Sequence, residues 1–155
     1  MILKESDLDK IQKLHAANKK IVLTNGCFDL VHIGHLRTFV EAKKLGDLLI
    51  VGINSDQSVK SLKGETRPII SQEDRAELVS AMKPVDYVII FDELNVSNLL
   101  EKINPDVYVK GGDYTLDNLP EKATIIRLGI EVKFIPVVVG ISTTELVNRI
   151  RKANI

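Results

Sequence analysis

The sequence predicts an α/β fold built on a single doubly wound, five-stranded parallel sheet. Five apolar runs of strand length alternate with segments of helical periodicity, and the run Leu48–Ile53 is apolar throughout, as a strand buried on both faces should be. Strands that alternate with helices in this way lie parallel and are joined by right-handed crossovers. We therefore expect the loops that follow the strands to meet at one edge of the sheet, where such folds bind ligands.

Apolar spacing and turn residues place the strands. They are predicted at Lys20–Thr24, Leu48–Ile53, Tyr87–Phe91, Asp106–Lys110 and Glu131–Ile135. The polar stretch Asn54–Arg67, which follows the second strand, is expected to be a loop.

The helices are placed by apolar faces and by capping residues. Ser6 is predicted to cap a first helix that carries Leu8, Ile11 and Leu14 and ends near Asn18, and Ser71 is predicted to cap a later one. The remaining helices are expected at Gly34–Leu45, Val96–Ile103, Pro120–Leu128 and Thr143–Arg151. The side chains expected to face the core are Leu36, Phe39, Val40 and Ala42 in one helix and Ala76, Leu78, Val79 and Met82 in the helix after Ser71.

Length and composition limit the class of protein. The 155 residues are expected to form one domain, with a helix in residues 1–19 and an α/β core in residues 20–155. Basic and acidic residues both number 21, so no charge excess favours nucleic acid or an anionic membrane as a partner. Cys27 is the only cysteine, and we see neither a secretory signal nor an apolar run of membrane-spanning length, so we expect a cytoplasmic protein.

The segment from Asn25 to His35 contains the strongest functional signal. His32 and His35, with Gly34 between them, follow an apolar strand and begin a helix. The free N–H groups and partial positive charge of a helix N-terminus favour a phosphate, and a glycine lets that phosphate approach the backbone. The alternative is a pair of histidines that only caps or packs against the helix.

A second phosphate-binding candidate follows the fifth strand. Gly140 precedes Ser142, Thr143 and Thr144, and three hydroxyl side chains at a helix start can cap the helix and also donate to an anion. Taken alone, such a turn is more often only a cap.

Basic residues in the predicted loop after the second strand are further candidates. Lys60 and Lys63 lie near Gly64 in a segment that we expect to be flexible enough to close over a triphosphate. Arg67 is suited to clamping a substrate phosphate bidentately, and Arg75 either joins it or pairs with neighbouring acidic residues.

A glycine pair follows the fourth strand. Gly111 and Gly112 permit close approach to a planar ring, and Asp113 can accept hydrogen bonds, so this turn is a candidate for recognising a base or ribose. The simpler interpretation is a turn without a ligand.

Taken together, these motifs resemble one family over roughly residues 20–151. The matching segments are 24–29, 32–35, 44–47, 54–56, 62–64, 67–69, 109–114 and 142–144, and they are similar to the D-glycero-D-manno-heptose 1-phosphate adenylyltransferases of the cytidylyltransferase-like group. The resemblance implies a Rossmann-like fold with a His-x-Gly-His motif. It also implies transfer of AMP from ATP to heptose 1-phosphate, which gives ADP-heptose, a precursor of bacterial lipopolysaccharide or related glycans, and pyrophosphate.

The charge chemistry of this transfer, together with the motifs above, assigns roles to individual residues. His32, His35 and either Lys63 or Lys60 are expected to stabilise charge in the transition state, with Mg²⁺ bridging phosphates, while Arg67 and Arg75 contact the acceptor. The residues assigned to nucleotide binding are Cys27 through its N–H, Phe28, Asp29, Gly34, Lys60, Gly111, Asp113, Gly140, Ser142, Thr143 and Thr144. No protein ligand to a metal is expected. The expected partner is a small sugar phosphate, and the protein is expected to be a homo-oligomer.

Relatives within the superfamily leave alternatives open. Glycerol-3-phosphate cytidylyltransferases carry an Arg-Thr-Glu segment where this chain has Val137–Val139, and pantetheine-phosphate adenylyltransferases usually have threonine where this chain has His32. A cytidylyltransferase, an enzyme of the FAD-synthetase type and a non-catalytic nucleotide-binding module remain the alternatives. The heptose enzymes are often fused to a sugar kinase, whereas only one helix is predicted before residue 20 here. We therefore expect either a stand-alone transferase or a relative with altered sugar specificity.

Overall fold

The computed structural model describes residues 1–4, 7–136 and 140–153, and within them it contains a six-stranded, wholly parallel sheet flanked by helices. The order of the strands across the sheet is β1-β4-β3-β2-β5-β6. Their bounds are β1 Ile2–Leu3, β2 Ile21–Gly26, β3 Leu48–Asn54, β4 Tyr87–Phe91, β5 Val107–Gly111 and β6 Glu131–Ile135. The helices are α1 Leu8–Ala16, α2 Ile33–Lys43, α3 Asp56–Lys63, α4 Gln72–Ser80, α5 Ser97–Ile103, α6 Lys122–Leu128 and α7 Thr143–Lys152, with a 3₁₀ turn at Leu116–Asn118.

The α/β class and the parallel sheet are confirmed, but the prediction of five strands was wrong by one. The additional strand, β1, pairs Ile2 with Val88 and Leu3 with Ile89 at the outer edge of β4. The N–H of Val88 donates to the carbonyl of Met1 at 2.9 Å, so β1 satisfies backbone groups that the edge strand would otherwise expose. Two residues are too few to show strand periodicity in the sequence.

The order of the strands reverses at β2. The chain passes from β2 to β3 and β4 on one side and then crosses to β5 and β6 on the other side. The carboxyl ends of β2 and β5 therefore lie next to each other at a topological switch point, the place where open α/β sheets bind ligands.

The strands bury side chains on both faces of the sheet. In β2, Val22 packs in a core with Phe39 of α2 and Ala76 of α4. Ile21 and Leu23 pack on the opposite face, in a core that contains Ile11 of α1, Leu100 of α5 and Ile125 of α6. Because successive strand residues alternate between faces, residues two apart share a face, and this rule places the site residues described below.

Three local predictions need correction. The stretch Asn54–Arg67 is not a loop throughout, because α3 occupies Asp56–Lys63. The Ser55 hydroxyl caps α3 by accepting from the N–H of Ser58, and Gly64, with φ +96°, follows the last residue of the helix. Val40 and Leu78 were expected to face the core, but they are 39% and 51% exposed. The apolar side chains that each helix buries form a narrow stripe, at positions 39 and 42 in α2 and at positions 76 and 79 in α4. Val40 and Leu78 lie next to these stripes in sequence and therefore point outwards.

The other elements agree with the prediction to within a few residues. The hydroxyl of Ser71 accepts from the N–H of Asp74 at 3.2 Å, which confirms the predicted cap of α4. Ser6, the predicted cap of the first helix, lies outside the described residues, as does the segment 137–139. None of the helices in the described residues has the length and apolar character that crossing a membrane requires.

Candidate active site

The two histidines of the motif are locked against each other at the start of α2. His32 is the N-cap: its Nδ1 accepts from the N–H of Gly34 at 3.1 Å, and its own N–H donates to Nδ1 of His35 at 3.4 Å. The rings stack with their centroids 3.8 Å apart. Because both Nδ1 atoms accept hydrogen bonds, the proton of each neutral ring lies on Nε2.

Burial keeps both rings neutral. It lowers the pKa of His32 below the usual 6.5, and burial followed by the charges of His32 and Lys63 lowers the pKa of His35 to about 4. At neutral pH the pair therefore presents two Nε2–H donors without adding a net charge.

A cavity of about 750 Å³ at the carboxyl edge of the sheet collects most of the predicted site residues. It runs from the loop after β2 and the start of α2 to the end of β5 and the start of α7. The predicted residues that line it are Cys27, Phe28, Asp29, His32, Gly34, His35, Lys63, Gly111, Ser142, Thr143 and Thr144. Two loops predicted to bind phosphate, far apart in the sequence, thus border the same space.

The turn before α7 both caps the helix and borders the cavity. The hydroxyl of Ser142 accepts from the N–H of Glu145 at 3.1 Å, while Thr143 and Thr144 line the cavity beside it. Since α7 buries none of its described side chains, its N-terminal donors remain close to solvent.

The structure separates the two candidate lysines. Both lie on the exposed surface of α3, but Lys63 lines the cavity and Lys60 does not. The charge of Lys63 contributes to the lowered pKa of His35, which places it electrostatically beside the histidines. This arrangement favours Lys63 as the cation that acts on phosphate.

Asp29 and Arg67 bind each other. Asp29 is only 2% exposed, and it accepts from the N–H groups of Ile69 and Ile70 at 2.7 and 3.0 Å and from the Arg67 guanidinium. Burial alone would raise the pKa of Asp29, but the hydrogen bonds from Ile70, Arg67 and Ile69 hold it below its usual value. Asp29 therefore ties the segment 67–70 to the histidine loop, and Arg67 lies outside the cavity lining.

Arg75, predicted to bind the acceptor, is instead enclosed by protein. It is fully buried, and its guanidinium donates to the carbonyls of Ile70, Cys27 and Asn54 and to the carboxylate of Asp56. It does not line the cavity. This placement favours a role in positioning the loop after β2 rather than the predicted contact with substrate.

The glycine turn after β5 is only partly in the site. A Cβ at Gly111 would lie 3.1 Å from Oγ1 of Thr38, so the glycine allows β5 to end close against α2. Gly111 lines the cavity, whereas the exposed Asp113 does not. Gly140, with φ +80°, supplies the turn before Ser142 and also lies outside the lining.

The most important residue that the sequence analysis missed is Glu121. It is 2% exposed, lines the cavity, and is hydrogen-bonded to Tyr108 and Lys110. Asn25 joins the same group. Asn25 and Lys110 lie in segments that the sequence already places after two strands at the binding edge, but Glu121 looks in the sequence like any acidic residue near a helix start.

The chain is similar in sequence to known proteins over most of its length. The chain is 47% identical over 138 residues to the Bifunctional protein HldE of Geobacter sulfurreducens, and 53% identical over 135 residues to the protein of that name from Campylobacter concisus. These alignments cover 89% and 87% of this chain but 28% of each relative, so the chain spans less than a third of their length.

Solved structures share the fold. The lipopolysaccharide core biosynthesis protein of Thermoplasma volcanium is 32% identical, with a TM-score of 0.64, over 77% of this chain and 97% of that one. The pantothenate synthetase of Thermus thermophilus, 17% identical over 83% of this chain and 60% of that one, shares the fold with a TM-score of 0.58. A sequence model of the cytidylyltransferase-like family matches residues 23–149, and this match covers the histidine loop, the turn before α7 and nearly the whole sheet. The chain therefore belongs to the cytidylyltransferase-like family of nucleotidyltransferases.

Proposed function

We propose that this chain transfers AMP from ATP to a sugar 1-phosphate of the heptose class and releases pyrophosphate. The observation that carries this proposal is the pair of neutral, stacked histidines whose Nε2–H groups are free to donate into a cavity that Lys63 and the Ser142–Thr144 turn also line. These groups are donors and a cation, the chemistry that a polyphosphate needs.

The reaction asks the protein for positioning and charge stabilisation. An oxygen of the sugar phosphate attacks the α-phosphorus of ATP, the bond from that phosphorus to the oxygen of the β-phosphate breaks, and the electron pair leaves with pyrophosphate. His32 and His35 donate hydrogen bonds to the oxygens on which charge accumulates, and Lys63 neutralises part of the triphosphate. No covalent histidine intermediate is required.

The proposed acceptor follows from the resemblance. The matched segments are those of heptose 1-phosphate adenylyltransferases, and two of the similar proteins are named Bifunctional protein HldE and lipopolysaccharide core biosynthesis protein. The product would be ADP-heptose. We expect the enzyme to act in the cytoplasm. We also expect it to be a homo-oligomer, and light scattering of the purified protein would test its oligomeric state.

Mg²⁺ is expected to arrive with the nucleotide. The described residues contain no group of three or more histidine, cysteine, aspartate or glutamate side chains that would hold a metal by themselves. Nucleotide-dependent enzymes commonly hold Mg²⁺ through substrate phosphates and few protein ligands, and the lining described here fits that arrangement. Mg²⁺ would supply charge neutralisation on the phosphates.

Pyrophosphate release tests the proposal. The protein is incubated with Mg²⁺, heptose 1-phosphate and either ATP or CTP, and then with both nucleotides at equal concentration. We expect ADP-heptose as the main product, since the Lys110–Tyr114 segment matches the adenylyl enzymes and the Arg-Thr-Glu segment of glycerol-3-phosphate cytidylyltransferases is absent. Transfer mainly from CTP would refute the choice of nucleotide, and nucleotide binding without any turnover would indicate a non-catalytic module.

A further inference from the structure

The cavity has a second half on the opposite face of the sheet from the histidines. Tyr108 of β5 packs in the core beneath α5 and α6, so Lys110, two residues further along, points towards the same face. Asn25 shares that face because it lies two residues after Leu23 in β2. The histidines begin α2, which covers the other face.

These side chains form a polar network with Glu121, the residue immediately before α6. The Tyr108 hydroxyl lies 2.6 Å from Oδ1 of Asn25 and also contacts Oε1 of Glu121. Nζ of Lys110 lies 3.2 Å from both Asn25 Oδ1 and the Tyr108 hydroxyl, and 3.5 Å from Glu121 Oε1. The Glu121 and Lys110 side chains are only 2% and 15% exposed, so this ion pair is largely removed from bulk water.

One oxygen of Glu121 is not used by this network. All the hydrogen bonds that the described residues make to its side chain end on Oε1. No side-chain oxygen or nitrogen that is fully buried in the described part of the chain lacks a partner, so Oε2 must retain access to the cavity that Glu121 lines. Oε2 faces the cavity without a donor among the described residues, so it can accept a hydrogen bond from a ligand there.

A carboxylate repels phosphate but accepts hydrogen bonds from hydroxyl groups. Around it, Asn25 and Lys110 add an amide and an ammonium group, and Leu94, Val96 and Pro120 line the same cavity with apolar surface. A polar cluster framed by apolar side chains suits a ligand with many hydroxyl groups and apolar C–H faces.

We propose that Glu121, together with Asn25 and Lys110, binds hydroxyl groups of the acceptor sugar and selects for them. This inference rests on the proposed function. In an in-line displacement the attacking oxygen and the leaving pyrophosphate lie on opposite sides of the α-phosphorus. With pyrophosphate beside the histidines and Lys63, the acceptor enters from the Glu121 side. Arg67 and Arg75, the residues predicted to hold the acceptor, are engaged with Asp29 and with buried carbonyls instead.

The test separates recognition of the sugar from recognition of ATP. Initial rates of pyrophosphate release are measured for the wild type, Glu121→Gln and the control Glu101→Gln, whose carboxylate is 47% exposed and pairs only with Arg127 among the described residues. We expect Glu121→Gln to lower kcat/KM for the sugar 1-phosphate by about 10- to 100-fold, as expected when a charged hydrogen-bond partner is lost, with KM for ATP within about twofold of wild type. The control Glu101→Gln should match the wild type both in kcat/KM for the sugar 1-phosphate and in KM for ATP.

A series of monodeoxy sugar 1-phosphates supplies a readout that a merely structural role would not change. At least one of them should react about 10- to 100-fold less efficiently than the parent with the wild type, and Glu121→Gln should remove most of that difference. Should Glu121→Gln fail to fold, the deoxy series on the wild type and on Tyr108→Phe, which removes the hydroxyl that holds Glu121, decides the question. Undiminished deoxy selectivity in the variants, or a rise in KM for ATP alone, would overturn the proposal.

Calorimetric titration distinguishes this inference from the proposed function. If the wild type binds a sugar 1-phosphate, and Glu121→Gln weakens that binding more than it weakens the binding of inorganic phosphate, the sugar site stands even when no pyrophosphate is released. If the wild type releases pyrophosphate and Glu121→Gln leaves sugar affinity unchanged, the proposed function stands and the sugar site is refuted. A wild type that binds no sugar 1-phosphate refutes both.

Discussion

Replacing Arg75 with methionine tests whether this residue holds the loop after β2 or contacts substrate. The guanidinium is fully buried and donates to three backbone carbonyls, those of Ile70, Cys27 and Asn54, and to the carboxylate of Asp56. Methionine fills a similar volume but donates nothing, so the three carbonyls lose their donors. The Asp56 side chain is 37% exposed and can be hydrated, so losing its ion pair with Arg75 adds little to the cost in stability.

The expected cost is large for a domain of this size. Removing one partner from a buried charged network typically costs about 3–5 kcal/mol, and each orphaned buried acceptor about 1–3 kcal/mol. We therefore expect Arg75→Met to lower the free energy of unfolding by about 3–5 kcal/mol, a substantial part of the roughly 5–15 kcal/mol that stabilises a typical domain. Arg127→Met is the matched control, since that arginine is 58% exposed and pairs with the exposed Glu101, so its removal should cost under about 1 kcal/mol.

Urea unfolding followed by far-ultraviolet circular dichroism measures the stability of both variants, and steady-state kinetics measures KM for the sugar 1-phosphate. If Arg75 holds the loop, the stability of Arg75→Met falls while any folded fraction keeps a KM near that of the wild type. A variant that unfolds within about 1 kcal/mol of wild type but has a KM at least tenfold higher would show that Arg75 contacts the acceptor.

Three further predictions follow from the cavity. His35→Ala should lower kcat by about 10²–10³ with little change in KM for ATP, because its Nε2–H acts on charge that develops in the transition state; a rise in KM alone would make His35 a ground-state ligand. Since the pKa of His35 is about 4 in the fold and 6.5 ordinarily, its neutral burial stabilises the protein fully above pH 6.5. Up to about 3 kcal/mol of the unfolding free energy is lost as the pH falls from 6.5 towards 4. The unfolding free energy of His35→Ala should therefore depend less on pH than that of the wild type, and equal slopes of unfolding free energy against pH in the two proteins would contradict this. Burial raises the pKa of the Cys27 thiol, so iodoacetamide should label it slowly at pH 7. Because Cys27 lines the cavity, bound ATP should slow the labelling further, with Cys27→Ser as the control for labelling at other sites. A labelling rate that saturating ATP does not change would place the nucleotide elsewhere.

The secondary structure could be predicted where local signals determine it. The third and fifth predicted strands coincide with β4 and β6, and Ser71 caps α4 as expected, because a continuous apolar run and a capping hydroxyl act over a few residues. The helix α3 was missed because its apolar content is low: Val59 is its only buried apolar side chain, so the segment looks like a polar loop.

The candidate site was predictable as a location but not in its division of roles. That the histidine loop and the Ser142–Thr144 turn meet follows from the parallel sheet, because each lies in a segment that follows the carboxyl end of a strand. Which charged residue faces the cavity depends on partners far along the chain: Arg75 reaches Cys27 across 48 positions, and Asp29 reaches Arg67 across 38. No local pattern encodes such pairings.

The loop after β2 leads to the two histidines and contains a residue that holds one of them in place. Phe28 adopts a φ of +50°, uncommon for an aromatic residue, and packs edge-on against the ring of His35 at 5.1 Å and against Phe39 at 5.2 Å. Gly26 makes this possible, since a Cβ there would lie 2.9 Å from the Phe28 ring. Because His32 is also stacked against it, with the ring centroids 3.8 Å apart, the His35 ring is held in place by two aromatic neighbours. In the proposed reaction, donors fixed in this way would not need to reorganise as charge builds up in the transition state, so Gly26, Phe28 and Phe39 would contribute to the rate by holding the histidine donors in place.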